Sequence, residues 1–367
     1  MKKPARAICC VVTKDYIPGF IVLYTSIFRH QTIPIYLLVS DIEPSEAPSL
    51  SIQLQALFRE PVSEYFHLVT PFQIYGEAAS QMRFYYDAFE FSTAAKAGMH
   101  TWIQEHTDVE CWLYLDTDML CFGSLDPIFD QLQSASILLT PHLAHPAPSL
   151  AGDLQNLAAG AFNGGVLGVR RSDESQRFTR WYQQVLEFFC LNDPPLSAAE
   201  RFTQATVIFS DQRWLDLVPA YFPATHVAAQ RGFNVGHWNV EQDQLNRQSS
   251  SLYIGNDPVI LLHLSGLIED DPNLLSKHSP IDWSGSSVWQ QIHSDYVQAL
   301  MPLKQVFSGH YRYSSYPDGS AVPKAHRRLY LKHILAGGPR IEDPFQHQAD
   351  FERACAPKKA TMPYRWA

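Results

Sequence analysis

The sequence has no apolar run of the twenty or so residues that a bilayer-spanning helix needs. Its first apolar run, Ala7–Val12, follows a basic start at Met1-Lys2-Lys3. Lys14 and Asp15 cut that run too short for a signal-peptide core with a cleavage site. Cysteine is scarce. The six residues include the pair Cys9-Cys10 inside an apolar run, and none stands at C-x-x-C spacing. Buried reduced thiols are the natural reading, in place of a metal cage or a disulfide framework. Basic charge is short as well: Lys+Arg 28 against Asp+Glu 37 leaves a net charge of -9, which argues against a nucleic-acid partner. Internal repeats and low-complexity tracts are lacking too. These absences point to a cytoplasmic protein with no transmembrane segment, and they leave peripheral membrane contact open.

What remains is a chain of 367 residues, 46% hydrophobic, long enough to bury a large core in one big domain or two. Ala7–Val12 reads as a buried strand, Thr13-Lys14-Asp15-Tyr16 as a loop, and Pro18-Gly19 as the start of a helix toward His30. Ile35–Val39 reads as a second strand ending in Ser40-Asp41. Strand, helix, strand in that order predicts an α/β fold with a mainly parallel sheet. Ligands of such sheets collect beyond the carboxyl ends of the strands.

Further along, Tyr85–His106 reads as a helix with Phe89, Ala94, Ala97 and Trp102 as apolar positions. Lys96 lies inside it, either as a solvated surface lysine or as a phosphate-facing cation. Ile137–Leu139 is a further strand, followed by an expected long loop from Ala144 to Gly160. Phe162-Asn163-Gly164-Gly165 opens another strand, whose paired glycines would let backbone approach a ligand. Ser172–Cys190 carries a helix with its acidic residues in the first turn. Asp193–Thr203 reads as a loop, and Ser210-Asp211-Gln212 as the cap of a short helix over Arg213–Leu217. Val259–Leu262 is a late strand ending at His263, and a last helix is expected near Val288–Leu303.

The centre of the chain is Cys111-Trp112-Leu113-Tyr114-Leu115-Asp116-Thr117-Asp118. A continuous apolar run of strand length ends in two carboxylates one residue apart. On a strand, residues i and i+2 share a face. Two such carboxylates repel each other, and a divalent cation removes the conflict. A haloacid-dehalogenase-type phosphatase also places Asp-x-Asp after a strand, but near the N-terminus and with Thr or Val two residues beyond the second Asp, where Leu120 stands here. His263 adds an imidazole at another strand end, a ligand type that suits Mn²⁺.

This ordered set resembles the nucleotide-sugar glycosyltransferases of the GT-A fold, in particular bacterial, family 8-like enzymes of surface polysaccharide and lipopolysaccharide assembly. The resemblance runs over most of residues 7–280. It rests on Thr13–Tyr16, the helix Glu90–Lys96, Tyr114–Asp118, Phe162–Gly165, Asp211-Gln212-Arg213-Trp214, Gly232–Asn239 and His263-Leu264-Ser265-Gly266. It implies a GT-A (Rossmann-like) domain over residues 1–270, with a mainly parallel sheet flanked by helices. A helical and irregular extension, 271–367, would pack on it.

The resemblance also implies roles. Asp116, Asp118 and His263 would hold Mn²⁺ or Mg²⁺ against the diphosphate of a nucleotide-diphosphate sugar, a UDP-sugar being favoured. Thr13 and Tyr16 would meet the nucleoside, with Thr117 also on the donor, and Lys96 the phosphates or the donor sugar. Asn163, Gly164, Asp211 and Gln212 would line the sugar pocket, with Asn163, Asp211 and Gln212 as the catalytic set. The family pattern ends in Lys-Pro-Trp after His-x-x-Gly; here Ser276-Lys277-His278 follows, so Lys277 and His278 are the candidate phosphate-facing cations. The implied reaction is metal-dependent hexosyl transfer, retaining, to a glycan, lipid-linked or protein hydroxyl. A non-catalytic nucleotide-sugar binding protein and a sugar nucleotidyltransferase stay open as alternatives.

Overall fold

A computed structural model describes residues 5–58, 65–147, 149–192, 210–240, 245–249 and 251–355. The expected loop over 193–203 lies outside them. The first half of the chain alternates strands and helices: β1 (Arg6–Val12), α1 (Ile17–Phe28), β2 (Ile35–Val39), α2 (Ala47–Leu57) and β3 (Phe66–Val69). Then come α3 (Pro71–Tyr75), α4 (Ala78–Tyr85), α5 (Ala88–His106), β4 (Cys111–Leu115), β5 (Met119–Cys121), α6 (Asp126–Gln131), β6 (Ile137–Pro141), α7 (Leu150–Ala159), β7 (Phe162–Arg170), α8 (Asp173–Phe189) and β8 (Thr225–Val227). Seven strands form one sheet in the order β3-β2-β1-β4-β7-β6-β8. All neighbours run parallel except β7, which is antiparallel to β4 and β6. The class expected from the sequence, a mainly parallel central sheet flanked by helices, is therefore the one observed.

The apolar runs explain the layers. β1, β2 and β4 are buried almost from end to end because helices cover both faces of the sheet. Ile8, Cys10, Leu37, Leu113 and Leu115 face the cluster around α1, while Cys9, Leu38, Trp112 and Tyr114 face the cluster around α5 and α8. All six cysteines are buried and free, as their apolar setting suggested.

Four local readings are corrected. The helix expected from Tyr85 is two helices: Tyr86 is extended, and Asp87 starts α5 with a capping box to Glu90. Phe89 on the first turn of α5 is 48% exposed and is no core position. The stretch 144–160 is not all loop, since Ser149 caps α7 and Gly160 ends it at positive φ. The strand bearing His263 covers Leu261–His263 and pairs antiparallel with β5, outside the main sheet.

Beyond residue 270, the helix Ser287–Val306 lies against α1 and the helix Lys324–Leu335 against α4. No helix among the described residues is long and apolar enough to cross a membrane.

Candidate functional site

The strand-end carboxylates and the distant histidine meet. β4 delivers Asp116 at its carboxyl end, and the turn before β5 carries Asp118. The pairing of Leu261–His263 with β5 brings His263 alongside, with His263 opposite Met119. Ligand atoms of Asp116, Asp118 and His263 all lie within 4.8 Å of one another. His263 Nε2 is 3.1 Å from Asp118 Oδ1 and 4.0 Å from Asp116 Oδ2. Burial alone would lower the pKa of His263, but the carboxylates, Asp118 first, raise it. Two carboxylates and one imidazole on three rigid segments fit a divalent cation of the Mn²⁺ or Mg²⁺ type.

Gly165 makes this closeness achievable. A Cβ there would stand 2.5 Å from His263 Cε1 and 2.8 Å from Asp116 Oδ2. Gly164 does the same for a second group, since its Cβ would fall 2.6 Å from Asp211 Oδ2. The glycine pair at the start of β7 thus admits carboxylates on both sides.

Lys96 links the two groups. It is buried in the middle of α5, with Nζ 3.0 Å from Asp116 Oδ1 and 3.3 Å from Asp211 Oδ2. It also lies 3.4 Å from the Gly164 carbonyl and 5.0 Å from the centre of the Tyr114 ring. Burial opposes its charge, but Asp116 and then Asp211 outweigh that and raise its pKa. The solvated-lysine reading is excluded. Asp116 Oδ1 accepts a further hydrogen bond from Tyr114 Oη at 2.6 Å, which leaves Oδ2 toward His263.

Asp211 does not cap a helix. The helical turn after it covers only Gln212–Leu215, and the Asp211 side chain makes no cap bond. It accepts instead from Tyr182 Oη on α8 at 3.3 Å. Gln212 is half-buried and donates from Nε2 to the Ala159 carbonyl at 2.7 Å, tying the end of α7 to the rim.

Asn163, on the other flank, is held on both sides of its amide. Its Oδ1 accepts from Gly165 N and from Asn234 Nδ2, both at 2.9 Å, and its Nδ2 donates to His142 Nε2 at 3.2 Å. Asn234, His142, Tyr114 and Tyr182 are participants to which sequence patterns alone assign no role. Asn234 and Tyr114 had a signal, because they lie in the segments 232–239 and 114–118 that carry part of the resemblance.

The remaining candidates form the approaches. Thr13 is buried and its hydroxyl bonds to Asp15. The backbone N of Lys14 donates to Asp41 Oδ1 at 2.9 Å, so the end of β2 orders the 13–16 loop. Tyr16 closes the 13–16 loop and is 61% exposed. Thr117 is buried, with its carbonyl against Gly19 at the start of α1. Lys277 and His278 are exposed. The Lys277 amide donates to the Gly266 carbonyl at 2.8 Å, and the His278 ring lies 5.6 Å from that of His237.

No family model matches the chain. Two uncharacterized proteins of Bacillus subtilis strain 168 are similar to it. YfnD is 29% identical over 160 residues, 43% of this chain and 47% of YfnD. YfnF is 22% identical over 265 residues, 71% of this chain and 81% of YfnF. The match to YfnD thus spans about half the length of that relative. Among solved structures the chain is similar to the glycosyltransferase GlyE of Streptococcus pneumoniae TIGR4, at 17% identity over 85% of this chain and 67% of GlyE, TM-score 0.44. It is also similar to the galactosyltransferase LgtC with donor and acceptor sugar analogues, at 14% identity over 83% of this chain and 98% of LgtC, TM-score 0.46. These likenesses are distant.

Proposed function

We propose that the chain is a glycosyltransferase of the GT-A type. It would move a hexose from a nucleotide-diphosphate sugar, UDP-sugar favoured, to a hydroxyl of a glycan, lipid-linked or protein acceptor. The observation that carries this reading is the junction of two groups: Asp116, Asp118 and His263 within 4.8 Å of one another, joined through Lys96 to Asp211. A cation on the first group neutralises the charge that grows on a leaving diphosphate.

The side chains have separable roles. Lys96 is kept charged by Asp116 and Asp211, so it is a fixed positive centre beside the phosphate and sugar end. Asp211 is already engaged by Lys96 and Tyr182, which supports a role in holding donor hydroxyls over a role as free base for the acceptor, and so the retaining reading. Asn163 and Gly164 complete the sugar-facing wall, and Gln212 holds the wall's edge through Ala159. Thr13, Tyr16 and Thr117 form the nucleoside side, with Lys277 and His278 at the mouth. Residues 1–270 would be the transferase domain of a cytoplasmic enzyme and 271–367 its extension.

A screen of nucleotide sugars against the whole chain tests the reading, scoring hydrolysis with and without Mn²⁺ together with thermal stabilisation. Metal-dependent hydrolysis of one donor is the expected result. Stabilisation by a donor with no turnover, with or without acceptor glycans, would make the chain a binding protein. Pyrophosphate-dependent release of a sugar phosphate would make it a nucleotidyltransferase.

A further inference from the structure

The buried polar groups behind the cation ligands form a hydrogen-bond chain with one direction. His142 Nδ1 lies 2.8 Å from the Gly160 carbonyl, which can only accept, so Nδ1 carries the proton. His142 is buried, and that burial brings its pKa down to about 4, so the ring is neutral and Nε2 is an acceptor. Nε2 takes the bond from Asn163 Nδ2 at 3.2 Å, which turns Asn163 Oδ1 toward Asn234. Asn234 Nδ2 then donates twice, to Asn163 Oδ1 at 2.9 Å and to Thr140 Oγ1 at 3.0 Å. Thr140 spends its own proton on the Val166 carbonyl at 3.3 Å, so it too can only accept from Asn234.

Both donor positions of Asn234 are therefore used, and its Oδ1 faces His263 Nδ1 at 3.3 Å. An amide oxygen accepts, so Nδ1 of His263 must donate. The backbone of His263 is fixed separately, through its amide to the Val235 carbonyl at 2.7 Å.

We infer that Asn234 is a positioning residue that holds the Nδ1–H of His263 and so aims Nε2 at Asp116 and Asp118, ready to ligate once Nε2 gives up any proton it carries. Asn234 is itself held in this orientation by two routes. One runs through Asn163 and His142 back to the Gly160 carbonyl, the other through Thr140 back to the Val166 carbonyl. A ligating histidine commonly gives its other ring N–H to an acceptor that orients it. Here that acceptor is a neutral amide whose own direction is set by these more distant groups. The inference rests on the cation reading only for its consequence; the Nδ1–H bond to Asn234 is a property of the metal-free chain, in which Nε2 can carry a proton as well and give it to Asp118 Oδ1 at 3.1 Å.

The test has two arms on the full chain. The first is a long-range ¹H–¹⁵N correlation spectrum of the histidine rings in metal-free protein, with His263 assigned from its loss in His263→Gln. A proton on Nδ1, protected from solvent exchange, is expected in the unaltered chain whatever Nε2 carries. It should persist in Asn234→Asp, which keeps an acceptor oxygen, and lose its protection in Asn234→Ala. An Nδ1 without a proton in the unaltered chain would overturn the inference with no variant needed. The second arm is Mn²⁺ binding, read from free-ion electron paramagnetic resonance. Asn234→Ala should weaken it by about ten- to a hundredfold, and equal affinity in a folded Asn234→Ala protein would overturn the inference while the metal site stands. If the unaltered chain bound no Mn²⁺, the metal part of the proposed function would fall, and the spectrum alone would decide whether Asn234 holds the Nδ1–H of His263.

Discussion

Lys96 Nζ and Asp211 Oδ2 are 3.3 Å apart, although the two residues are distant in the chain and neither is solvent-facing. The pair binds the middle of α5 to the segment after α8. Breaking a buried ion pair by removing one partner leaves an uncompensated charge, at a cost of about 3–5 kcal/mol. Lys96→Met should therefore lower stability by roughly 3 kcal/mol and abolish donor turnover. Asp211→Asn should cost less, because Asp116 still faces the lysine, yet turnover should fall at least tenfold, about 1.4 kcal/mol or more in the barrier. Paired urea titrations and initial rates check both. Normal turnover by Asp211→Asn would remove it from the sugar pocket.

Metal removal should be visible without catalysis. The carboxylates of Asp116 and Asp118 lie close together beside His263, so a bound cation relieves repulsion and stabilises the fold by mass action, about 2.7 kcal/mol at a hundredfold excess over its Kd. Chelator should lower the melting temperature and stop turnover, and Mn²⁺ should restore both. Asp116→Asn and Asp118→Asn should stay folded and lose most of the response. A melting temperature indifferent to both chelator and Mn²⁺ would count against the site.

Gly165→Ala is the steric counterpart. The added Cβ would meet His263 Cε1 at 2.5 Å and Asp116 Oδ2 at 2.8 Å, both shorter than any relaxed contact. The ligands must move apart, so Mn²⁺ affinity should fall by at least tenfold in a protein that still folds. Unchanged affinity would mean that the cation sits elsewhere.

Stability should also carry a histidine signature at acid pH. Trp112 Nε1 donates to His100 Nδ1 at 2.9 Å inside the core, and burial, with Lys96 nearby, lowers the His100 pKa to about 3. Between its ordinary value of 6.5 and about 3, the unfolded chain binds a proton at His100 that the folded chain does not. More protons on the unfolded side means that stability rises with pH there, so it is lost as pH falls below 6.5, by roughly 1 kcal/mol per pH unit for a full proton. His100→Gln keeps an acceptor for Trp112 and removes that proton. Unfolding free energies at pH 7 and pH 5 should differ less in the variant; an identical difference would assign the acid sensitivity to other groups.

The strands of the sheet were legible because burial on both faces leaves unbroken apolar runs, as in Ile35–Val39 and Cys111–Leu115. Asp116, Asp118 and His263 were legible as chemistry, each at the end of a strand-like run. The route by which His263 arrives was not: it depends on a three-residue antiparallel pairing with Met119–Cys121, far too short to leave a periodic signal. The same limit hid the partners of Asp211. Locally it looks like a helix cap, and only the fold shows that its partners are Lys96 and Tyr182. The start of α5 is hard to read although Asp87 and Glu90 spell a capping box, because aromatic residues continue across the break and mimic one longer helix.

That break has its own support, and it comes from the far end of the chain. The carbonyls of Arg83 and Phe84, in the last turn of α4, and of Tyr86, just beyond it, have no further helical turn to bond. Arg327, buried on the helix Lys324–Leu335, donates through Nη1 to all three, at 3.2, 2.7 and 2.6 Å, and through Nη2 to the Tyr313 carbonyl at 2.7 Å. Its neighbour Arg328 pairs with Glu90, a wholly buried carboxylate on the first turn of α5. Phe84 packs against Tyr316, Tyr330 and Phe351 from the same extension. Arg327 and Arg328 thus help to hold the start of α5, and α5 carries Lys96. Arg327→Met keeps much of the side-chain volume and leaves the carbonyls without their donor, at about 1–3 kcal/mol for each buried group left unsatisfied. With four carbonyls losing their donor, a loss of roughly 4 kcal/mol or more is expected, which at about 2–4 °C per kcal/mol for a large domain lowers the melting temperature by about 8 °C or more. Well below that melting temperature the variant should retain donor turnover within severalfold, since Arg327 touches no site residue. An unchanged melting temperature would show that α4 and α5 hold their break without Arg327.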